Sequence, residues 1–197
     1  GIRDIGVTGV QTCALPILNS RLHLGGLDLG PGEELDIVSP VHPQLMTGIL
    51  TGRGNFGDGQ AYGLFAPLDR QVIEWFVPAG QHPTALPFET VAYSYGYRDI
   101  FDVRAMAQPG TCSLDPLCYA AWANESNAAA KLTFTSGGGS YLCSGQLMAS
   151  TAADETPYLS TANHCISTTA SANSCTFQFF YRCNCGSTTA ATGTTVR

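Results

Sequence analysis

Charge is scarce in this chain. Only 12% of its 197 residues are charged and Lys131 is the single lysine, so long surface helices laced with ion pairs are excluded as the main building material. The charge that is present runs negative, with a net value of −6 and a pI near 5.0. That balance excludes a nucleic-acid partner, because such binders displace counterions with basic patches. No apolar run approaches the roughly 20 residues that a membrane-crossing helix needs, so no membrane role is expected. Acidic residues also stop early: after Glu155 there is no Asp or Glu, and no Gly-Asp-Ser-Gly string occurs. In place of charge stand 22 glycines, 11 prolines and many serines and threonines, a composition that predicts an all-β protein of short strands and frequent turns.

Cysteine divides the chain. Seven of the eight cysteines fall between 112 and 185, and the predicted organisation is a first domain over 18–105, a linker over 106–111 and a second domain over 112–197. Residues 1–17 are set aside. Gly1-Ile-Arg-Asp4 and Val7-Thr-Gly-Val-Gln-Thr-Cys-Ala-Leu-Pro-Ile17 resemble the translation of a sequencing-library adapter, so Cys13 is excluded from the cysteine arithmetic. The alternative for these residues is a natural strand and turn.

The first domain reads as an antiparallel β-sandwich. Leu35-Asp-Ile-Val38 alternates, while Val72-Ile-Glu-Trp-Phe-Val77 and Thr90-Val-Ala-Tyr-Ser-Tyr-Gly-Tyr97 are β-branched and aromatic. Gly30-Pro-Gly32, Pro40 to Pro43, Gly52 to Gly59, Pro78-Ala-Gly80 and Pro83 can each reverse the chain between them. The string Thr51-Gly-Arg-Gly-Asn-Phe-Gly57-Asp-Gly59 contains the glycine spacing of a dinucleotide loop. Such a loop needs a helix at once behind it, and Gly59, Gly63 and Pro67 forbid a long one, so it is read as a glycine-rich turn and no cofactor is expected. His23, His42 and His82 stand singly among turn residues and are read as surface polar groups rather than ligands.

The second domain carries the chemistry. Ala128–Thr135, Ser140–Met148, Tyr158–Ala162 and Ser174–Tyr181 read as strands, with Gly137-Gly-Gly139 as a hairpin turn. A histidine one residue before a half-cystine, with another cysteine 22 positions upstream, can be clamped by a disulfide between neighbouring strands. Cys143-Ser-Gly-Gln-Leu147 followed by Pro157-Tyr-Leu-Ser-Thr-Ala-Asn-His-Cys165 resembles the histidine segment of trypsin-like serine endopeptidases. Pro109-Gly-Thr-Cys112-Ser-Leu-Asp-Pro-Leu-Cys118 resembles the start of mature lysyl-endopeptidase-like enzymes. Ser160 departs from the apolar residue expected in the strand before the histidine. With its Thr51-Gly-Arg-Gly-Asn-Phe-Gly57-Asp-Gly59 string and its closing Gly96-Tyr-Arg98, the first domain in turn resembles the β domain found upstream of some secreted bacterial trypsin-like peptidases, which implies a propeptide or accessory domain; a plain spacer is the alternative.

These resemblances imply the first, incomplete half of a trypsin-like double β-barrel, a zymogen activated near Gly110, and His164 as the general base. They also imply disulfides Cys143–Cys165 and Cys118 with one of Cys183 or Cys185, with Cys112 pairing beyond Arg197. Cys175 and the remaining cysteine of the Cys183/Cys185 pair lie outside that pattern. The expected protein is a secreted, extracellular monomer acting on a protein or peptide substrate. Its nucleophile is missing from these residues: Ser167, Ser171, Ser174 and Ser187 follow His164 without a glycine-framed turn, and Asp154 and Glu155 precede it in a loop. The chain is therefore expected to be the front of a longer enzyme, inactive by itself. A zinc site from His164, Cys165, Cys175, Cys183 and Cys185 is the chemical rival, but it lacks the Cys-x-x-Cys knuckle, and no metal is expected. The Asn124-Glu-Ser126 sequon is read as coincidence. The rival function is a non-catalytic, disulfide-rich β protein for binding or adhesion, since a scaffold does not fix an activity.

Overall fold

The computed structural model describes residues 2–8, 17–96, 100, 114–152, 154–182, 185 and 194–196. Twelve strands dominate it: β1 Ile2–Thr8, β2 Asn19–Gly25, β3 Glu34–Val38, β4 Ala61–Tyr62, β5 Ala66–Pro67, β6 Arg70–Phe76, β7 Glu89–Gly96, β8 Ala129–Ser136, β9 Gly139–Met148, β10 Tyr158–Thr161, β11 Thr176–Phe179 and β12 Thr194–Val196. Two short helices, α1 Ala123–Ala128 and α2 Thr169–Asn173, join them. The fold is all-β, and every strand pairing is antiparallel. Two compact units divide the chain at Phe101 and Asp102.

In the first unit, β1-β6-β3 form one sheet, while β2 pairs β4 and β5 on one side and β7 on the other. The two sheets share a core, because Leu22 and Leu24 of β2 cluster with Leu35 and Ile37 of β3 and Ile73 and Trp75 of β6. β6 shows why its sequence makes a strand here: Gln71, Ile73 and Trp75 are buried while Arg70, Glu74 and Phe76 are exposed, the period-two pattern of a half-buried strand. Each fully buried Leu or Ile stabilises by about 2 kcal/mol relative to exposure. Residues 2–8 pair with β6 along their full length, Ile2 opposite Phe76 and Thr8 opposite Arg70; residues 9–16, with Cys13, lie outside the described part.

The sandwich interior is not wholly apolar. Gln71 of β6 reaches across to β2, accepting from the Leu22 amide at 2.9 Å and donating to the carbonyls of Ser20 and Leu64 at 2.9 and 2.7 Å. A Cβ at residue 63 would lie 2.4 Å from the Gln71 Oε1, so Gly63 is what lets this cross-sheet link form. Buried Arg21 donates to the Gly63 carbonyl at 2.9 Å and lies near the rings of Tyr62 and Phe65. His23, read from sequence as a surface group, is half-buried: its ring stacks on Tyr62 at 4.0 Å and its Nε2 lies 2.6 Å from the Gln60 Oε1. Strand β2 was not legible because its buried polar residues obscure any alternation. The glycine-rich stretch 52–59 holds positive φ at Gly52, Gly54, Gly57 and Gly59 and leads into β4 rather than a helix.

The second unit is one open five-stranded sheet in the order β10-β9-β8-β11-β12, with no closed barrel among the described residues. The β8–β9 hairpin turns through Gly137 and Gly138, at φ 55° and 79°, the left-handed pair that matches strand twist and favours glycine. Ala130, Leu132 and Phe134 of β8 form one buried face, and Cys143, Leu159, Ile166, Phe177 and Phe179 pack against it.

Candidate active site

His164 sits in the turn that follows β10. The turn is closed by the amides of Cys165 and Ile166, which both donate to the Ala162 carbonyl, at 2.9 and 3.3 Å. Three local devices hold it to β9. Cys143 and Cys165 are bonded, with their Cα atoms 6.2 Å apart. The Thr161 hydroxyl donates to the Ser144 carbonyl at 2.8 Å, and β10 pairs β9 with Thr161 opposite Gly145. Ile166 anchors the far side of the turn against the Leu132–Phe134 core.

The histidine itself is exposed. An imidazole that is open to solvent on a disulfide-clamped turn can be reached by groups from outside the turn. Its ring lies beside the bridge, with a ring nitrogen and the two sulfurs within 4.8 Å of one another. Because those sulfurs are bonded to each other, the trio offers no thiolate to a metal. Cys185 is likewise bonded, to Cys118. Cys175 is buried, its Sγ 3.8 Å from the Thr176 carbonyl oxygen. Cys112, Cys183 and the linker over 106–111 lie outside the described residues.

The glycine of Cys143-Ser-Gly145 has a definite task. A Cβ there would lie 2.8 Å from Leu159 Cδ2, 3.0 Å from the Ser160 carbonyl and 3.1 Å from Leu132 Cδ1. Gly145 therefore lets β10, the strand that delivers His164, lie close on β9. Sequence reasoning quoted this glycine without seeing its role, and it missed Ile166 and the Thr161 hydroxyl. Ser160 points to the exposed face of β10, where an apolar residue is not needed for the described packing.

The serines downstream of His164 are accounted for differently. Ser174 is fully buried, bonded to both the amide and the carbonyl of Thr135 and to the Ser171 carbonyl. Ser171 is also buried, with its amide and hydroxyl capped by Thr168. Neither can serve an incoming substrate. Ser167 is exposed, and Ser187 lies outside the described residues. Of the two loop carboxylates, Asp154 accepts the Thr156 amide at 3.2 Å. That backbone hydrogen bond, followed by one from the Thr156 side chain, holds its pKa below 3.8.

The family model for the lysyl endopeptidase C-terminal domain matches residues 106–197. The second unit is similar to the lysyl endopeptidases. A lysyl endopeptidase of Pseudomonas aeruginosa is 31% identical over 128 residues, covering 57% of this chain and 27% of the relative. The chain thus spans about a quarter of the length of that relative. No solved structure matches. The similarity is to peptidases, and the two disulfides fit a protein matured in an oxidising compartment.

Proposed function

We propose that this chain belongs to a secreted serine endopeptidase that hydrolyses peptide bonds, with His164 as its general base and a protein or peptide as its substrate. The observation that carries the reading is the clamped, exposed His164 turn inside the segment similar to the lysyl endopeptidases. A serine hydroxyl is a weak nucleophile near neutral pH, so the imidazole takes its proton on attack and returns it to the leaving amine. A carboxylate fixes the ring tautomer and backbone amides receive the oxyanion. Residues 165–197 offer no carboxylate and no glycine-framed serine, so the proposal assigns neither group to a residue of this segment. The first unit serves as an accessory or propeptide domain.

The test compares the 197-residue chain, the longer reading frame that contains it, and His164→Ala in that longer form, on an unfolded protein substrate. The longer form is expected to cleave it and be silenced by a serine-directed acylating inhibitor. His164→Ala is expected to lose a factor of about 10³ or more, and the 197-residue chain to be inactive. Full activity in His164→Ala would remove the base assignment; inhibitor-sensitive cleavage by the 197-residue chain would overturn the expectation that it is inactive.

A further inference from the structure

We infer that the second unit binds a peptide carboxylate flanked by an apolar side chain, in a cleft of about 390 Å³ between the β8–β9 strands and the segment that follows β11. That volume suits a dipeptide-sized group. Two cations line it, Lys131 and Arg182, and no carboxylate is among the described lining residues. In a chain of net charge −6 with a single lysine, bringing two positive groups to one hollow creates a local field opposite to that of the whole molecule, which selects an anion.

The backbone is bent to build this wall. Phe180 has φ 58°, a left-handed conformation that a bulky residue rarely adopts. In a continued strand Phe180, Tyr181 and Arg182 would point to alternate faces. With the kink, all three line the same cleft. The Lys131 Nζ lies 3.9 Å from the Tyr181 ring centroid, and Arg182 donates to the Ser126 hydroxyl at 2.6 Å while its guanidinium lies 5.4 Å from the Phe180 ring. These contacts hold both cations in place, and the guanidinium has donors beyond the one given to Ser126, in the fork that fits a carboxylate. Leu142 and Pro116 complete the lining with apolar surface, which favours an aliphatic neighbour over the fully solvated flanks of a phosphate.

The probe is acetyl-Leu-Glu-amide, titrated into the ¹⁵N-labelled 197-residue chain, with acetyl-Leu-Gln-amide as its neutral match. Shifts are expected at Ser126, Lys131, Leu142 and Phe180–Arg182 with the glutamate peptide alone, weakening as salt is raised. Lys131→Met keeps an unbranched apolar side chain and removes the charge; it is expected to weaken binding by roughly ten- to a hundredfold, the loss of one charge-assisted hydrogen bond, and Lys131→Arg to restore it. Equal shifts from the glutamine peptide, unchanged affinity in Lys131→Met, shifts away from the cleft, or none at the solubility limit would each overturn the assignment.

Discussion

Replacing both Cys143 and Cys165 by alanine isolates the clamp on the His164 turn. The bridge spans a sequence separation of 22, and for a closed loop of that size the chain-entropy relation gives about 3.4 kcal/mol at 25 °C. The paired replacement avoids leaving a reactive thiol, and the bridge between Cys118 and Cys185 stays in place to hold the rest of the unit. For a unit the size of residues 102–197, the entropy of unfolding near the midpoint is about 0.2 kcal/mol/K, so the midpoint should fall by about 15 °C. Calorimetry reads the shift, and hydrogen exchange assigns it. The amides of Cys165 and Ile166, bonded to the Ala162 carbonyl, should lose protection well before those of β8. A fall of less than about 5 °C, well short of the entropic prediction, or unchanged protection of those two amides, would refute the idea that the disulfide holds the turn. The β9–β10 pairing alone would then be enough.

Gly145→Ala should cost about 1–3 kcal/mol, as overpacking against a neighbouring backbone does, because the new methyl meets the Ser160 carbonyl at 3.0 Å; urea unfolding measures it, and a change below about 0.5 kcal/mol, the range of an ordinary surface substitution, would mean that β10 does not need the close approach. The Asp154 carboxyl should titrate below 3.8, held there first by the Thr156 amide. Its folded pKa is depressed, so its contribution to stability is present above the unfolded value and is lost as pH falls through the folded one. Carboxyl chemical shifts followed from pH 6 downward check this, and a midpoint at or above 3.8 would show that the Thr156 hydrogen bonds are absent in solution.

The readable parts of the sequence were those where one local cause dominates. β3 announces itself by alternation, β6 by its β-branched and aromatic residues and the β8–β9 hairpin by the glycines at 137–139, and β7, β8, β9, β10 and β11 follow within a few residues of their sequence readings. β2 was hidden because Asn19, Ser20 and Arg21 are polar yet buried, and only tertiary partners such as Gln71 and the Gly63 carbonyl make that burial tolerable. His23 was misread for the same reason, since its partners Tyr62 and Gln60 are distant in sequence. At the site, His164 and its cysteines stand out as a motif. Ile166 and the Thr161 hydroxyl do not, because nothing in the chain announces that a common residue will land on the Leu132 core or on the Ser144 carbonyl. The cleft at Lys131 and Arg182 was invisible for a further reason: it depends on one backbone angle, at Phe180, that no residue preference predicts.

The His164 turn is built almost wholly from its own neighbourhood. Its clamp closes over 22 positions, its strand pairs with the adjacent β9, its glycine and threonine contacts lie between residues 132 and 161, and Ile166 packs on the cluster of Ala130, Leu132, Phe134 and Cys175. Short loops close at little entropic cost, so this turn can form as soon as β8, β9 and β10 have paired. A triad, by contrast, is complete only when residues from distant parts of a chain arrive at the same point. A base that is fixed before its partners come is pre-organised, and the reaction then pays no further ordering cost at the imidazole. Under the proposed function His164 is that base, and loss of the Cys143–Cys165 bridge should then weaken peptide cleavage mainly through kcat, with the protein chain that is bound for cleavage held as before.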